Sequence, residues 1–294
     1  MQSICLHIFV DLIETECGDE IQKLIKKFIH TKGAERVKKD KWYNNQLFPW
    51  LLPIVVVLLW QVLGDRGLIK STMLPTPLEV VEAGKNLFQT GELQKHVYIS
   101  TERAIIGFFI GGTIGFLLGL FNGTVLFLEK LIDTSIQMIR TIPHLALIPL
   151  VILWFGIGES AKIFLVAVGV MFPIYINTFN GIKNVDYKLI EMGKVYGMSK
   201  WQLFTNIILP GAMPNILVGI RYALGVTWIS LIVAETIGAD AGIGYLATTA
   251  REFMQMDIVV LTIVLYAILG KLSDFIAKVC EQRLLKWNPA YRKN

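Results

Sequence analysis

Residues 104–125 read AIIGFFIGGTIGFLLGLFNGTV, an unbroken run without a charged side chain. A helix needs about 20 apolar residues to cross the hydrocarbon core of a bilayer, and this run is long enough. Gly107, Gly111, Gly115, Gly119 and Gly123 recur four apart within it. Residues four apart share a helix face, so the glycines line a groove about 24 Å long at about 1.5 Å rise per residue. Such a groove lets another helix backbone approach closely. The run therefore predicts a membrane-spanning helix with a tight packing seam, within one subunit or between two. It carries no chemistry of its own.

Five further runs flank it. Gln46–Gly64, QLFPWLLPIVVVLLWQVLG, is uncharged. Ile132–Gly158 is interrupted only by Asp133 and Arg140, and Ile163–Ile182 is uncharged. Pro214–Gly238 holds Arg221 and Glu235, and the last run starts at Ile258 and grades into Lys271, Asp274 and Lys278. Sustained apolar runs with few charges read as transmembrane helices, and six are expected. The chain is 54% hydrophobic and 17% charged, with a mean hydropathy of +0.55. That composition excludes a disordered chain, and three cysteines exclude a disulfide scaffold. The expected class is an all-α integral membrane protein. It divides into an N-terminal extension (1–45), a six-span domain (46–280) containing a polar loop (183–213), and a C-terminal tail (281–294).

Six spans place both termini on one side. Lys23, Lys26, Lys27, Lys32, Arg36, Lys38, Lys39 and Lys41 precede the first span. Lys183, Lys188, Lys194 and Lys200 follow the fourth, and Lys278, Arg283, Lys286, Arg292 and Lys293 end the chain. The side rich in Lys and Arg is cytoplasmic, so both termini are expected there. The net charge of +5 is then a topology signal, and no nucleic-acid partner is expected. Cys5, Cys17 and Cys280 would be free thiols in a reducing compartment, with no metal site. Ile21, Leu24, Ile25, Phe28 and Ile29 mark one face of a basic amphipathic helix suited to an anionic leaflet; a dispensable extension is the other reading.

Pro143, Pro149 and Pro173 fall inside predicted spans, where proline bends a helix. Polar residues sit beside them: Arg140 and His144 near Pro143, Asn177 near Pro173. With Arg221 these form a candidate substrate pathway, since intramembrane charges are functional by default. Arg140 and Arg221 have two readings: a positive zone for an anion in transit, or long side chains reaching the inner surface or pairing with Asp133 or the loop acids. No zinc-protease, serine-hydrolase or phosphate-loop motif occurs. The chain is thus expected to be no enzyme and to bind no cofactor, and any ATP-driven step needs another chain.

The loop 183–213 contains EMGKVYGMSKWQLFTNIILP, Glu191 to Pro210. It resembles the signature loop of binding-protein-dependent ABC importer permeases: Glu-Ala-Ala, a Gly four residues later, and Ile-x-Leu-Pro starting ten residues after that Gly. Glu191, Gly197, Ile207, Leu209 and Pro210 fall in register, while Met192 and Gly193 replace the two alanines. Gly197 permits a turn between two short helices, and Pro210 sets the exit toward the fifth span. LPTPLEV (74–80), residues 142–178, residues 232–253 and WNPAY (287–291) extend the resemblance from about Trp42 to Tyr291. They are most similar to the aliphatic sulfonate members of the nitrate, sulfonate and taurine permease group.

That resemblance implies the type I importer permease architecture in a bacterial cytoplasmic membrane. Its implied partners are a second permease copy in a homodimer, two ATP-binding subunits and an extracytoplasmic substrate-binding protein. ATP and Mg would be used by the partner ATPase, docked on the loop through Glu191, Gly193, Gly197, Ile207, Leu209 and Pro210. The stretch Glu235–Tyr245 would lie at the outer mouth. The implied cargo is a small organosulfonate; taurine, nitrate or a pyrimidine precursor are alternatives. A stand-alone channel or secondary carrier is the reading from another class.

Overall fold

A computed structural model describes residues 48–287. The basic helix expected over 21–29, Cys5, Cys17 and the last seven residues lie outside them. All regular structure among the described residues is helical, in the order α1 (Phe48–Asp65), α2 (Pro77–Gln89), α3 (Glu92–Thr124), α4 (Leu126–Arg140), α5 (His144–Phe155), α6 (Glu159–Lys183), α7 (Tyr187–Val195), α8 (Lys200–Leu203), a π-helical turn (Phe204–Ile208), α9 (Leu209–Glu235), α10 (Ile243–Glu252) and α11 (Met256–Leu284). The chain divides into two units, one ending at Trp60 and one beginning at Gln61.

Among the described residues, four segments are long and apolar enough to cross a membrane: Glu92–Thr124, Glu159–Lys183, Lys200–Glu235 and Met256–Leu284. Leu51–Asp65 and Ala146–Phe155 are shorter apolar helices. The third expected span departs most from the sequence reading. Ile132–Gly158 is not one helix: α4 ends at Arg140, and α5 starts after Pro143. Pro143 has no amide to donate, and the residue before a proline is pushed out of the helical region. Pro143 therefore separates two helices where a kink within one was expected, whereas Pro149 and Pro173 do lie inside α5 and α6. At 12 residues, α5 is about 18 Å long, short of the roughly 30 Å hydrocarbon core.

The core is built around α6, whose buried positions run from Ala161 to Ile182. On one side it meets the glycine face of α3. A Cβ at Gly111 would land on the carbonyl of Ala167, one at Gly115 on the carbonyl of Met171, and one at Gly119 would lie 2.7 Å from the Tyr175 carbonyl oxygen. Gly107 and Gly123 face Val166 and Ile182. Lipid tails are as apolar as leucine, so burial alone does not drive two helices together in a membrane. Close backbone packing supplies the attraction instead, and it needs a face without side chains.

On its other side α6 packs against α9, again through small residues. Gly169 faces Ser230, Gly181 faces the Ala212 carbonyl, and Gly219 faces Asn177 and the Pro173 carbonyl. Val166, Val170, Ile174, Ala223, Trp228 and Leu231 form the main apolar cluster between these helices and α3. The α11 helix lies on α9, where Trp228 donates from Nε1 to Ser273 Oγ at 2.9 Å. A second polar link joins three helices: Asn122 donates to Tyr175 Oη at 2.9 Å, and Tyr175 donates to Asp133 at 2.6 Å. Large apolar side chains on the outward faces of α3, α9 and α11, such as Phe109, Ile229 and Phe275, are exposed, as a lipid-facing surface requires.

Candidate functional site

The polar loop forms a helical hairpin. Asp186 caps α7, its carboxylate accepting from the Lys188 amide at 2.9 Å. The helix closes at Gly197, whose φ of +73° is the left-handed conformation glycine adopts without cost. There the Met198 amide donates to the Gly193 carbonyl at 3.0 Å. Ser199 and Gln202 then cap α8 reciprocally. Gly193 is buried, and a Cβ there would lie 2.8 Å from Cδ1 of both Ile207 and Leu203. Gly193, expected at the ATPase dock and standing where the motif has alanine, is thus where α7 touches the returning helix, at Leu203 and Ile207.

The second arm of the hairpin does not stop at Pro210. The α8 helix, the π turn and α9 form one continuous 36-residue helix, Lys200–Glu235. Pro210 stands at its first turn beyond the π segment. A proline inside a helix removes one donor and crowds the carbonyl four residues back; five residues of wider π winding lie immediately before it. The expected exit turn is therefore a local widening in a helix that passes straight from the loop into the membrane segment. Glu191 is exposed on α7, alongside exposed Met192, Val195, Tyr196 and Trp201. An apolar patch rimmed by Lys188, Lys194 and Lys200 is a surface of the kind that marks a protein contact.

The opposite end of the same long helix carries a buried ionic node. Glu235, the last residue of α9, is 1% exposed. Its carboxylate accepts from Ser100 Oγ at 2.7 and 2.8 Å, from Arg103 at 2.8 Å, from the Gly244 amide at 2.8 Å and from Tyr266 Oη at 3.3 Å. Arg103 also grips Glu159 with two bonds, at 2.6 and 2.5 Å, and donates to the Ala241 carbonyl at 2.6 Å. Lys162 sits 3.2 Å from the same Glu159. His96 Nδ1 accepts from the Gly242 amide at 3.0 Å, and Ser100 Oγ accepts from the Ile243 amide at 2.8 Å.

The node thus clasps the turn 236–242 and ties α3, the starts of α6 and α10, the end of α9 and Tyr266 inside α11 to one another. Gly242 has φ +125°, and a Cβ there would meet the Glu235 carboxylate at about 2.5 Å. Only glycine fits at that point. A cavity of about 360 Å³ beside the node is lined by Ile99, Glu102, Arg103, Glu159 and Asp240. In the sequence Glu235 is a charge inside an apolar run, at the start of the stretch expected at the outer mouth, whereas Arg103 and Glu159 lie just outside apolar runs and carry no local signal.

Arg140, Asn177 and Arg221, three of the four pathway candidates, are not drawn together by any contact among the described residues. Arg140 ends α4 and is exposed, and His144 is the first residue of α5. Asn177 donates to the Pro173 carbonyl within α6 at 2.8 Å and packs against Gly219 in the α6–α9 seam. Arg221 pairs with Asp274 on α11 at 2.6 Å, with Glu281 3.8 Å away. Its partners are therefore on the last helix; Asp133, considered as a partner from sequence, instead accepts from Tyr175. Cys280 is a free, exposed thiol.

Residues 111–286 match the family described as the binding-protein-dependent transport system inner membrane component. The chain is 58% identical over 251 residues to SsuC of Escherichia coli strain K12, named for aliphatic sulfonates transport, covering 85% of this chain and 95% of that protein. It is 46% identical over 263 residues to the SsuC of Bacillus subtilis strain 168, covering 88% and 95%. Among solved structures, an amino acid ABC transporter crystallised with histidines superposes with a TM-score of 0.57 at 18% identity, over 68% of this chain and 97% of that one. The last of these supports the fold, and the family match runs through the loop. The chain belongs to the family of inner membrane components of binding-protein-dependent transport systems.

Proposed function

We propose that this chain is the permease subunit of an ATP-driven importer that carries aliphatic sulfonates across the bacterial cytoplasmic membrane. The observation that carries the reading is the 58% identity to an aliphatic sulfonates permease along 95% of that protein's length. In this reading two copies of the chain pair to enclose the path. The hairpin 187–203 lies on the cytoplasmic side, as the concentration of Lys and Arg around it and at both termini favours. Its exposed face of Met192, Val195, Tyr196 and Trp201 receives an ATP-binding subunit. Glu191 and the lysines around it supply the charged rim.

ATP and Mg are handled by that partner, and this chain contributes the transmission. The helix Lys200–Glu235 has 36 residues, about 54 Å at about 1.5 Å per residue. It connects the ATPase-facing hairpin to the buried node at the other end. Interfaces of packed helices are bistable more than continuously deformable, so displacement of the hairpin is delivered along one stiff element to the α3–α6–α9 junction. An external binding protein delivers the cargo at the node end. The half-exposed guanidinium of Arg221 is compatible with an anionic cargo.

Deletion of the gene in a strain lacking redundant systems tests the reading. It should abolish growth on an alkanesulfonate as sole sulfur source and leave growth on sulfate intact. Undiminished growth on the alkanesulfonate, with loss of growth on taurine or nitrate, reassigns the cargo. Uptake by the purified chain in liposomes without any ATPase subunit overturns the importer reading in favour of a carrier.

A further inference from the structure

The α2 helix has surfaces of three kinds, and the third has no partner among the described residues. At about 100° per residue, Val80, Ala83, Gly84 and Leu87 make one sector. They are buried or half-buried, and a Cβ on Gly84 would sit 3.2 Å from Leu261 of α11. Glu79, Glu82, Asn86 and Gln89 make a second sector that is exposed and polar. Between the two, Leu78, Val81, Lys85 and Phe88 fall within about 80° of arc. Leu78 is 67% exposed, Val81 68% and Phe88 60%. A soluble helix has an inside and an outside, so two sectors suffice; a separate apolar strip beside a protein-packed face calls for a second apolar medium.

The place of the helix in the fold identifies that medium. Only Thr90 and Gly91 separate α2 from α3, the membrane-crossing helix whose first turns carry Glu92, Gln94, Lys95 and His96 before the apolar run begins. Gly91 takes φ +82°, the left-handed conformation that breaks the helical path between α2 and α3. The start of α2 is fixed as firmly: Thr76 and Glu79 form a reciprocal capping box. Tyr98, nearly two turns into α3, is 68% exposed, and tyrosine is enriched at the level of lipid headgroups. Tyr98, Ile105 and Phe109 are exposed and fall within about 40° of one another on α3, so α2 leads directly into a helix with an apolar outward face. Lys85 can lay its stem along the strip and keep its ammonium in the headgroup layer.

We propose that α2 is an interfacial anchor: Leu78, Val81 and Phe88 insert into the lipid leaflet on the side away from the 187–203 hairpin, holding the outer ends of α3 and α11 at a fixed depth. This rests on the membrane reading of α3, which the test monitors separately. The full chain, with Cys5, Cys17 and Cys280 replaced by serine, is reconstituted into phosphatidylethanolamine–phosphatidylglycerol vesicles. A nitroxide is placed at one position at a time: Leu78, Val81, Phe88, Glu82, Asn86 or Phe109. Collision with molecular oxygen is compared with collision with a water-soluble nickel chelate. Positions 78, 81 and 88 are expected to show an oxygen-to-chelate ratio like that of 109, and positions 82 and 86 the inverse. Free access of the chelate to 78, 81 and 88 while 109 stays shielded overturns the anchor alone. Access at 109 as well overturns the membrane placement itself. Shielding of 78, 81 and 88 that appears only when the cognate binding protein is added makes the strip a protein-docking surface and also overturns the proposal.

Discussion

Replacing Arg103 by leucine should damage this protein more than any other single charge removal at the node. The guanidinium makes two bonds to Glu159, one to Glu235 and one to the Ala241 carbonyl, at 2.5 to 2.8 Å. Its side chain is 5% exposed and that of Glu235 is 0% exposed, whereas that of Glu159 is 58% exposed. Solvent and Lys162 can therefore look after Glu159 once Arg103 is gone. Glu235 has no such recourse. It keeps Ser100, the Gly244 amide and Tyr266 as donors but loses its only ion-pair partner among the described residues. Removing one member of a buried pair costs about 3–5 kcal/mol, most of it from the charge left behind.

The converse change is milder. Glu235→Gln leaves Arg103 paired with Glu159 and Ala241 and preserves one acceptor oxygen, so the loss should be about 1–3 kcal/mol. The two costs share a cause and should not add; a coupling of about 1–3 kcal/mol is expected in the Arg103→Leu/Glu235→Gln double variant. At about 2–4 °C per kcal/mol for a chain of this size, Arg103→Leu should lower the thermal midpoint by about 6–20 °C. The midpoint can be read as the fraction of monodisperse protein surviving heating in detergent. Arg103→Lys should fall between, since lysine keeps the charge but not the fork that holds Glu159. An Arg103→Leu midpoint equal to the parent's, or strict additivity in the double variant, would refute the assignment of Arg103 as counter-ion to a buried charge.

The glycine seam makes a contrast within one turn of α3. Gly111→Ala puts a methyl on the Ala167 backbone and should cost about 1–3 kcal/mol, while Gly112→Ala meets only the tip of Ile174 at 3.2 Å and should stay within about 0.5 kcal/mol; equal midpoints for the two would sink the seam assignment. In the hairpin, Gly193→Ala pushes against the flexible ends of Ile207, Leu203 and Met198 and should retain binding of the ATPase subunit. Gly193→Leu should lose it, and wild-type pull-down by the leucine variant would contradict the close approach. Gly197→Asp forces a side chain into φ +73°, costing about 1–2 kcal/mol locally, and should uncouple the complex while leaving the chain in the membrane. Arg221→Ala and Asp274→Ala should lower uptake alike if the ion pair is what matters, and the charge-swapped pair should restore it. Failure of the swap, with Asp274→Ala harmless, would return Arg221 to direct contact with the anion.

What was legible in the sequence, and what was not, follows from the range of the interactions. Apolar runs and the four-residue glycine period are local, and they announce α3, α6, α9 and α11 without any knowledge of the fold. The loop motif is local too: Gly197 takes the turn its position calls for. The division of the third run at Pro143 was within reach, since proline both ends and bends helices, but a nearly uncharged flank argued for a bend. The charges that hold the bundle together are a different matter. Arg103 and Glu235 are 132 residues apart, and nothing near either residue names the other. From sequence, an arginine at the rim of an apolar run looks like a side chain reaching for water.

Burial reverses the roles given to the charged residues. Arg140 and Arg221, which lie well inside apolar runs, are exposed or half-exposed in the fold. Arg103, at the edge of its run, is enclosed on all sides. Depth along the chain measures distance from the helix end, whereas enclosure depends on which face of the helix a residue occupies. Arg103 lies four residues before Gly107 and so shares the glycine face that α6 covers. The register of the glycine ladder, extended one step back, lands on the arginine. The same small-residue face that lets α6 approach α3 thereby carries the guanidinium to Glu159 at the start of α6 and to Glu235 at the end of α9.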